Sequence, residues 1–322
     1  MIHRRAALAL PALALPFLAS PARAATWPEK PTRLVIPFGA GGPIDGVGRL
    51  LAELLRERLG QPFLIDNRPG AGGSLGLRAV VQSPPDGTAF VLTSASLASI
   101  HALYPSAGLD PRVAMTPVSL VAEVPTALVV NTNAALTSPA ALIQAARARP
   151  GALTYGSGGV GSSNHLSGAL FGHVAGLDLT HISYRGAAPA MTALYAGEID
   201  MVFASTVETL PHVQAGRARI LGVTTAARVA ALPDVPALSE FVPGYVALNW
   251  YGIAGPPALP PEITTRLAET LASFRTLEHV KARFAAAGTE PLLAGPAVLR
   301  QRLEEDVPQW QRLIAATGIK VE

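Results

Sequence analysis

The stretch Arg33-Leu34-Val35-Ile36-Pro37-Phe38-Gly39-Ala40-Gly41-Gly42-Pro43-Ile44-Asp45-Gly46-Val47-Gly48-Arg49-Leu50-Leu51 joins two periodicities through a glycine-rich turn. Residues 33–38 form a short, largely apolar run that ends in turn residues, which predicts a buried strand. Residues 39–43 are the turn. Beyond it Ile44, Val47, Leu50, Leu51, Leu54, Leu55 and Leu59 recur at the spacing of one helix face, and Gly60 stops the helix. A strand feeding a helix through a short turn is the building unit of an α/β protein with a mainly parallel sheet.

The unit repeats along the chain. Residues 63–66 predict a second strand, followed by the loop Asn67-Arg68-Pro69-Gly70-Ala71-Gly72-Gly73 and a short helix, and residues 90–93 predict a third strand. The pattern restarts after Glu123, with strands expected at 126–131, 153–155, 181–184, 199–203 and 219–224 and helices at 139–147, 164–174 and 188–196. Residues 250–254 form another extended run, and from Pro261 the chain is mostly helical, with Pro308 expected to kink or split the last helix. Two such units predict two lobes sharing one chain. Residues 25–125 and 247–322 would make the first lobe and 126–246 the second, with crossovers near Pro125 and Val246.

Composition narrows the function. The chain has 322 residues, 49% of them apolar and 15% charged, with no cysteine. High hydrophobicity with few charges is the reverse of a disordered chain. The lack of cysteine excludes a disulfide framework, a thiolate zinc site, a thiol nucleophile and a lipid-modified N-terminal cysteine.

Residues 1–24 read as a cleaved export signal, so the mature protein is expected to be exported. Arg4 and Arg5 precede an apolar stretch at 6–19, and Ala22-Arg23-Ala24 supplies a small-x-small cleavage site. The apolar stretch, broken by Pro11 and Pro16, falls short of the roughly 20 residues that span a bilayer. Both the general secretory and the twin-arginine routes fit the arginine pair. Of the 25 basic residues three lie in this segment, so 22 remain against 22 acidic ones. A nucleic-acid partner therefore has no electrostatic support.

Three motifs invite a catalytic reading and fail on context. Gly156-x-Gly158-x-x-Gly161 matches the dinucleotide fingerprint, but the acid at the right distance, Asp178, precedes the next strand instead of ending it. Gly72-Gly73-Ser74-Leu75-Gly76 matches a hydrolase nucleophile elbow, yet Pro69 and a long loop separate Ser74 from its strand. His165, His173, His181 and His212 are scattered and form no triad or metal spacing, and Glu304-Glu305-Asp306 reads as a solvated helix face. No cofactor and no metal are expected.

What remains is a device used three times. Residues 39–43, 158–164 and 185–189 each pass from a strand through small residues into a helix. Such junctions present unpaired backbone N–H groups at the positive end of a helix dipole, where an anion is favoured. Two lobes offering these turns across one cleft predict a bound small anion.

At this level the sequence resembles the Bug-type solute receptors, the extracytoplasmic binding proteins of tripartite tricarboxylate transporters. Ala40-Gly41-Gly42-x-x-Asp45, Asn67-Arg68-Pro69-Gly70-Ala71-Gly72-Gly73 and Pro84-Pro85-Asp86-Gly87 carry the resemblance in the first unit. Tyr155-Gly156-Ser157, Gly161-Ser162-Ser163-x-His165, Tyr184-Arg185-Gly186-x-x-Pro189-Ala190, Leu232-Pro233-Asp234-Val235-Pro236 and Trp250-Tyr251-Gly252 follow in order.

The resemblance implies a two-lobed periplasmic binding protein-like fold of type II, each lobe a sheet flanked by helices, with the ligand cleft between lobes. It also implies a carboxylate held by backbone N–H groups and small hydroxyls, a hinge that closes on it, and membrane transporter subunits as partners of a monomer. Carried over, Phe38, Gly41, Gly42, Pro43 and Asp45 would serve from the first loop, and Ser94 and Ser96 from a neighbouring strand end. Gly161, Ser162, Ser163 and His165 would serve from the second loop, and Gly186, Ala187 and Ala188 from the third. Asp45 either meets a polar group of the ligand or stabilises its own helix turn, and the second role is favoured. Arg185 is expected to brace its loop. Ser205 belongs to the neutral stretch Ala204-Ser205-Thr206, which argues for a plain carboxylic acid over an amino acid. The rival readings are a secreted serine hydrolase using Ser74 or Ser162, and a receptor that signals to a membrane sensor.

Overall fold

The computed structural model describes residues 27–229, 232–286 and 289–321. The export-signal segment 1–24 lies outside the described residues, among which no helix is long and apolar enough to cross a membrane.

The chain first makes β1 (Thr32–Ile36), α1 (Pro43–Leu59), β2 (Phe63–Asn67), α2 (Ser74–Val81), β3 (Ala89–Ser94), α3 (Ile100–Leu103) and β4 (Thr116–Val124). Next come β5 (Thr126–Asn131), α4 (Pro139–Ala148), β6 (Thr154–Ser157), α5 (Ser163–Ala175) and β7 (Thr180–Ser183). Then follow α6 (Ala187–Ala196), β8 (Met201–Ser205), α7 (Thr206–Gln214) and β9 (Ala218–Val223). The last elements are β10 (Asn249–Gly255), α8 (Pro261–Phe274), α9 (Glu278–Ala286), β11 (Glu290–Ala294) and α10 (Pro296–Thr317).

The strands form two sheets, one ordered β11-β4-β10-β3-β1-β2 and the other β7-β6-β8-β5-β9. The chain passes between them at Pro125 and again before Asn249. Two hydroxyls fasten the crossings. Thr126 and Thr224 share a hydrogen bond of 2.6 Å, and the Thr224 hydroxyl also donates to the Ala247 carbonyl at 2.7 Å.

Neither sheet is mainly parallel, contrary to expectation. β1 pairs in parallel with β2 and β3, and β6 with β7 and β8, whereas β10 runs antiparallel to β3 and β4, and β5 antiparallel to β8 and β9. β11 also runs antiparallel, to β4. For β5 and β10 the reason is the crossings: each enters a sheet from the other lobe and so runs against its βα units.

α1 and α8 pack on one face of the first sheet in a core containing Leu34, Ile36, Leu51, Leu55, Phe90, Ile253 and Leu271. Its other face meets α2 and the first half of α10 through Val35, Leu77, Trp250, Leu299 and Leu303. The second half of α10 turns to the second lobe, where Val307, Trp310 and Leu313 join Phe171, Phe203 and Tyr245. Ala247 still packs in the second-lobe core, the chain serves the first lobe from Asn249 as far as Leu303, and the end of α10 packs on the second. That burial also accounts for the helix running unbroken through Pro308, which removes one donor while the apolar face on either side stays anchored.

Candidate functional site

One loop of the first lobe and two of the second converge on a cavity of about 650 Å³. Phe38, Gly41, Gly42 and Pro43 line it from the start of α1, and Ser94 and Ser96 from the end of β3. Ser162 and Ser163 line it from the start of α5, Gly186, Ala187 and Ala188 from the start of α6, and Ser205 from the end of β8. Two other surface hollows, of about 550 and 810 Å³, lie along α10 and beside α8 and lack any such convergence of helix starts.

The first loop owes its shape to Asp45. Its carboxylate accepts from the Gly41 N–H (3.0 Å), the Arg49 guanidinium (2.9 and 3.3 Å) and the Asn67 amide (3.0 Å). Burial alone would raise the acid's pKa, but Arg49, the Gly41 N–H and Asn67 together hold it below the ordinary aspartate value. Gly41 sits at φ 86°, a left-handed conformation that a side chain would strain. Asn67 also donates to the Phe38 carbonyl at 3.2 Å, which clips the end of β2 to the same loop.

The second loop is built on two stacked histidines. The Gly161 N–H donates to His165 Nδ1 at 3.0 Å, and the His165 and His181 rings stack 4.0 Å apart. Nε2 of His181 lies 2.7 Å from the Ser157 hydroxyl. Burial first, and then the neighbouring His181, push the His165 pKa down to about 3, while burial pushes His181 down to about 4. Both rings are therefore neutral near neutral pH, as an acceptor for the Gly161 N–H must be. The Ser162 hydroxyl caps α5 by accepting from the His165 N–H at 3.4 Å, and the Asn164 amide donates to the Phe203 carbonyl.

Three expected contacts thus lie behind the cavity and not on it. Asp45 and His165 hold the loops, and the Gly161 N–H is consumed by His165, so none of the three lines the space. The donors left over are the N–H groups of Ile44, Ser163, Asn164, Ala187 and Ala188, which have no acceptor among the described residues. The two second-lobe loops touch backbone to backbone: a side chain at Gly158 would sit 3.0 Å from the Ala187 nitrogen.

Arg185 departs from its expected role. The guanidinium has no hydrogen bond or ion pair among the described residues, and the exposed side chain borders the cavity instead of bracing the loop. Nor is the wall neutral throughout. Glu208, in the first turn of α7, lines the cavity together with Asn249 and Tyr251 of β10, Val124 and Thr126 at the crossing, and Asn164 and Pro189. Ser74 and Ser162 have no histidine on their hydroxyls among the described residues. The serine that does, Ser157, is 1% exposed.

Two sheets joined by two crossings, with helix starts from both lobes around one cleft, define a two-lobed solute-binding protein of the periplasmic type. Residues 47–319 match the family described as tripartite tricarboxylate transporter family receptor, TctC, and the chain belongs to that family. BugT of Bordetella pertussis is 33% identical over 94% of this chain and 94% of its own length. The structure of the periplasmic binding protein BugD superposes with a TM-score of 0.80 at 30% identity, over 92% of this chain and 100% of that one. R. palustris Rpa4515 with adipate superposes with a TM-score of 0.82 at 35% identity, over 91% and 99%.

Proposed function

We propose that this protein is an extracytoplasmic receptor that captures a small carboxylate by closing its two lobes and delivers it to the membrane subunits of a tripartite tricarboxylate transporter. The observation that carries the reading is the set of unpaired N–H groups at the starts of α1, α5 and α6, facing one cavity from both lobes. A carboxylate reaching both sets favours the closed form, because only closure brings the second set within hydrogen-bonding distance. Each charge-assisted hydrogen bond strengthens as the cleft excludes water. Asp45 and His165 act one layer out, by fixing the loops that present these donors. Binding of adipate by a relative that is 35% identical supports a carboxylate ligand here. No chemical step is invoked, and the serines near the cleft serve as caps and hydrogen-bonding walls.

The test is thermal melting of residues 25–322, freed of endogenous ligand, against mono-, di- and tricarboxylates, aromatic acids and amino acids. A ligand at 100 times its dissociation constant stabilises by about 2.7 kcal/mol, which moves the midpoint by several degrees. A shift with a carboxylate class supports the reading. A flat response to every acid, together with fluorophosphonate labelling of Ser74 or Ser162, would replace it with the hydrolase.

A further inference from the structure

The hinge-side wall of the cavity holds three polar groups that the protein itself leaves without partners. The Glu208 carboxylate has no hydrogen bond and no cation among the described residues, although the side chain is half-buried in the wall. The Tyr251 hydroxyl, on a side chain only 5% exposed, likewise has no partner among them. Asn249 uses its Oδ1 to accept the Trp250 N–H at 3.0 Å, which leaves its amide N–H groups without an acceptor. All three polar ends open on the cavity, so an acceptor and two donors that the protein leaves unpartnered on one wall offer a ligand a ready set of hydrogen bonds.

We infer that Glu208, with Tyr251 and Asn249, selects a carboxylate whose far end carries a hydrogen-bond donor, an amino, amide or hydroxyl group, over an unsubstituted dicarboxylate. This rests on the proposed carboxylate site and specifies what lies opposite it. The helix starts of α1, α5 and α6 take the anionic end, and Glu208 takes the donor end. A second carboxylate there would gain hydrogen bonds from Tyr251 and Asn249 but would face the charge of the half-buried Glu208, which has no ion pair among the described residues. A donor instead converts that uncompensated acceptor into a charge-assisted hydrogen bond. Burial shifts the Glu208 pKa upward, in keeping with a carboxyl that lacks a partner in the empty cleft. The same burial, and then the Glu208 charge, push the Tyr251 phenol upward, so it remains an O–H donor at working pH. The neutral stretch Ala204-Ser205-Thr206 argued for a plain acid, but the charge sits one helical step further on.

The experiment compares matched probes of equal length, succinate against 4-aminobutanoate and succinamate, and adipate against 6-aminohexanoate. Binding is measured by calorimetry on the wild type, Glu208→Gln and Tyr251→Phe. The wild type is expected to favour the donor-bearing member of a pair at least tenfold. Glu208→Gln should erase or reverse that preference by binding the dicarboxylate more tightly, with a ligand-free melting point no lower than the wild type's. Tyr251→Phe, which keeps the ring, should weaken donor-bearing and plain ligands together. A wild type that favours the dicarboxylate, with an unchanged ratio in Glu208→Gln, would overturn the selection by Glu208 while leaving the carboxylate receptor standing. Failure of every carboxylate to bind any of the three proteins would remove both.

Discussion

Replacing Asp306 by Asn should make the protein more stable at neutral pH and leave it little changed in acid. Asp306 sits on α10 between Leu303, packed on the first lobe, and Val307, packed on the second, and is only 6% exposed. Its Oδ2 accepts from the Trp250 indole N–H at 2.7 Å. Burial raises its pKa and Glu305 adds to the rise, while the Trp250 hydrogen bond and Arg302 oppose it, and the balance lies at about 6 instead of the usual 3.8. The folded protein therefore holds this proton more tightly than the unfolded chain. Stability from the group is greatest below pH 3.8, falls as pH rises towards 6, and stays lower above that. At about 1.4 kcal/mol per pH unit the loss is about 3 kcal/mol. Asparagine keeps the shape and the acceptor for Trp250 and carries no charge to desolvate. Urea denaturation of both proteins from pH 4 to pH 8 should give curves that diverge with rising pH, with a gap approaching 3 kcal/mol, or roughly 6 °C in melting point, by pH 7.5. Curves that run parallel across that range, whichever protein is the more stable, would refute a desolvated carboxylate at this position.

Gly158→Ala should weaken ligand binding tenfold or more, because the new methyl meets the Ala187 nitrogen at 3.0 Å and the Gly186 carbonyl carbon at 3.1 Å and must part the two second-lobe loops; calorimetry with the best ligand checks it. Arg185→Ala should leave the ligand-free melting point unchanged and slow association several-fold at low salt, an effect that stopped-flow fluorescence should see fade above about 0.3 M salt. Asp45→Ala removes the acceptor for Gly41, Arg49 and Asn67 and should cost about 1–3 kcal/mol in urea denaturation. Because the Asp45 pKa is depressed on folding, the wild type's advantage over that variant should be full at neutral pH and shrink as pH falls through and below 3.8.

The strands and helices around the cleft were legible because each pairs a short apolar run with an amphipathic helix through a turn of small residues. α1 is the clearest case: its buried positions Ile44, Val47, Leu50, Leu51, Leu54 and Leu55 are the ones its spacing marks. Two strands lack a sequence signal, and the longer is β4, the nine-residue Thr116–Val124. It lies between β10 and β11 with helices on both faces, so nearly every residue is buried and no alternation exists to be seen. β11 is an edge strand that carries Pro291, a residue confined within sheets to such places, and so it reads as loop. Strand direction is a different matter. The antiparallel course of β5 and β10 follows from which lobe the chain has just left, and no local pattern records it.

The site divides along the same line. Loops 39–43, 158–164 and 185–189 announce themselves because, in the proposed site, the backbone would be the functional group, and exposing backbone takes small residues at a helix start, a signal written in sequence order. The side chains on the opposite wall follow no such rule. Glu208 lies in α7, whose Thr206-Val207-Glu208-Thr209-Leu210-Pro211 has neither a clean apolar face nor a proline-free turn. Asn249 and Tyr251 reach the cavity because β10 re-enters the first sheet beside β3, with Tyr251 opposite Ser94. This difference fits a receptor whose ligand has a common end and a distinguishing end. On the proposed reading, the carboxylate end is met by backbone N–H groups in three loops. The distinguishing end would be met by single side chains near the hinge, where one substitution would alter the charge facing the ligand without touching the three loops.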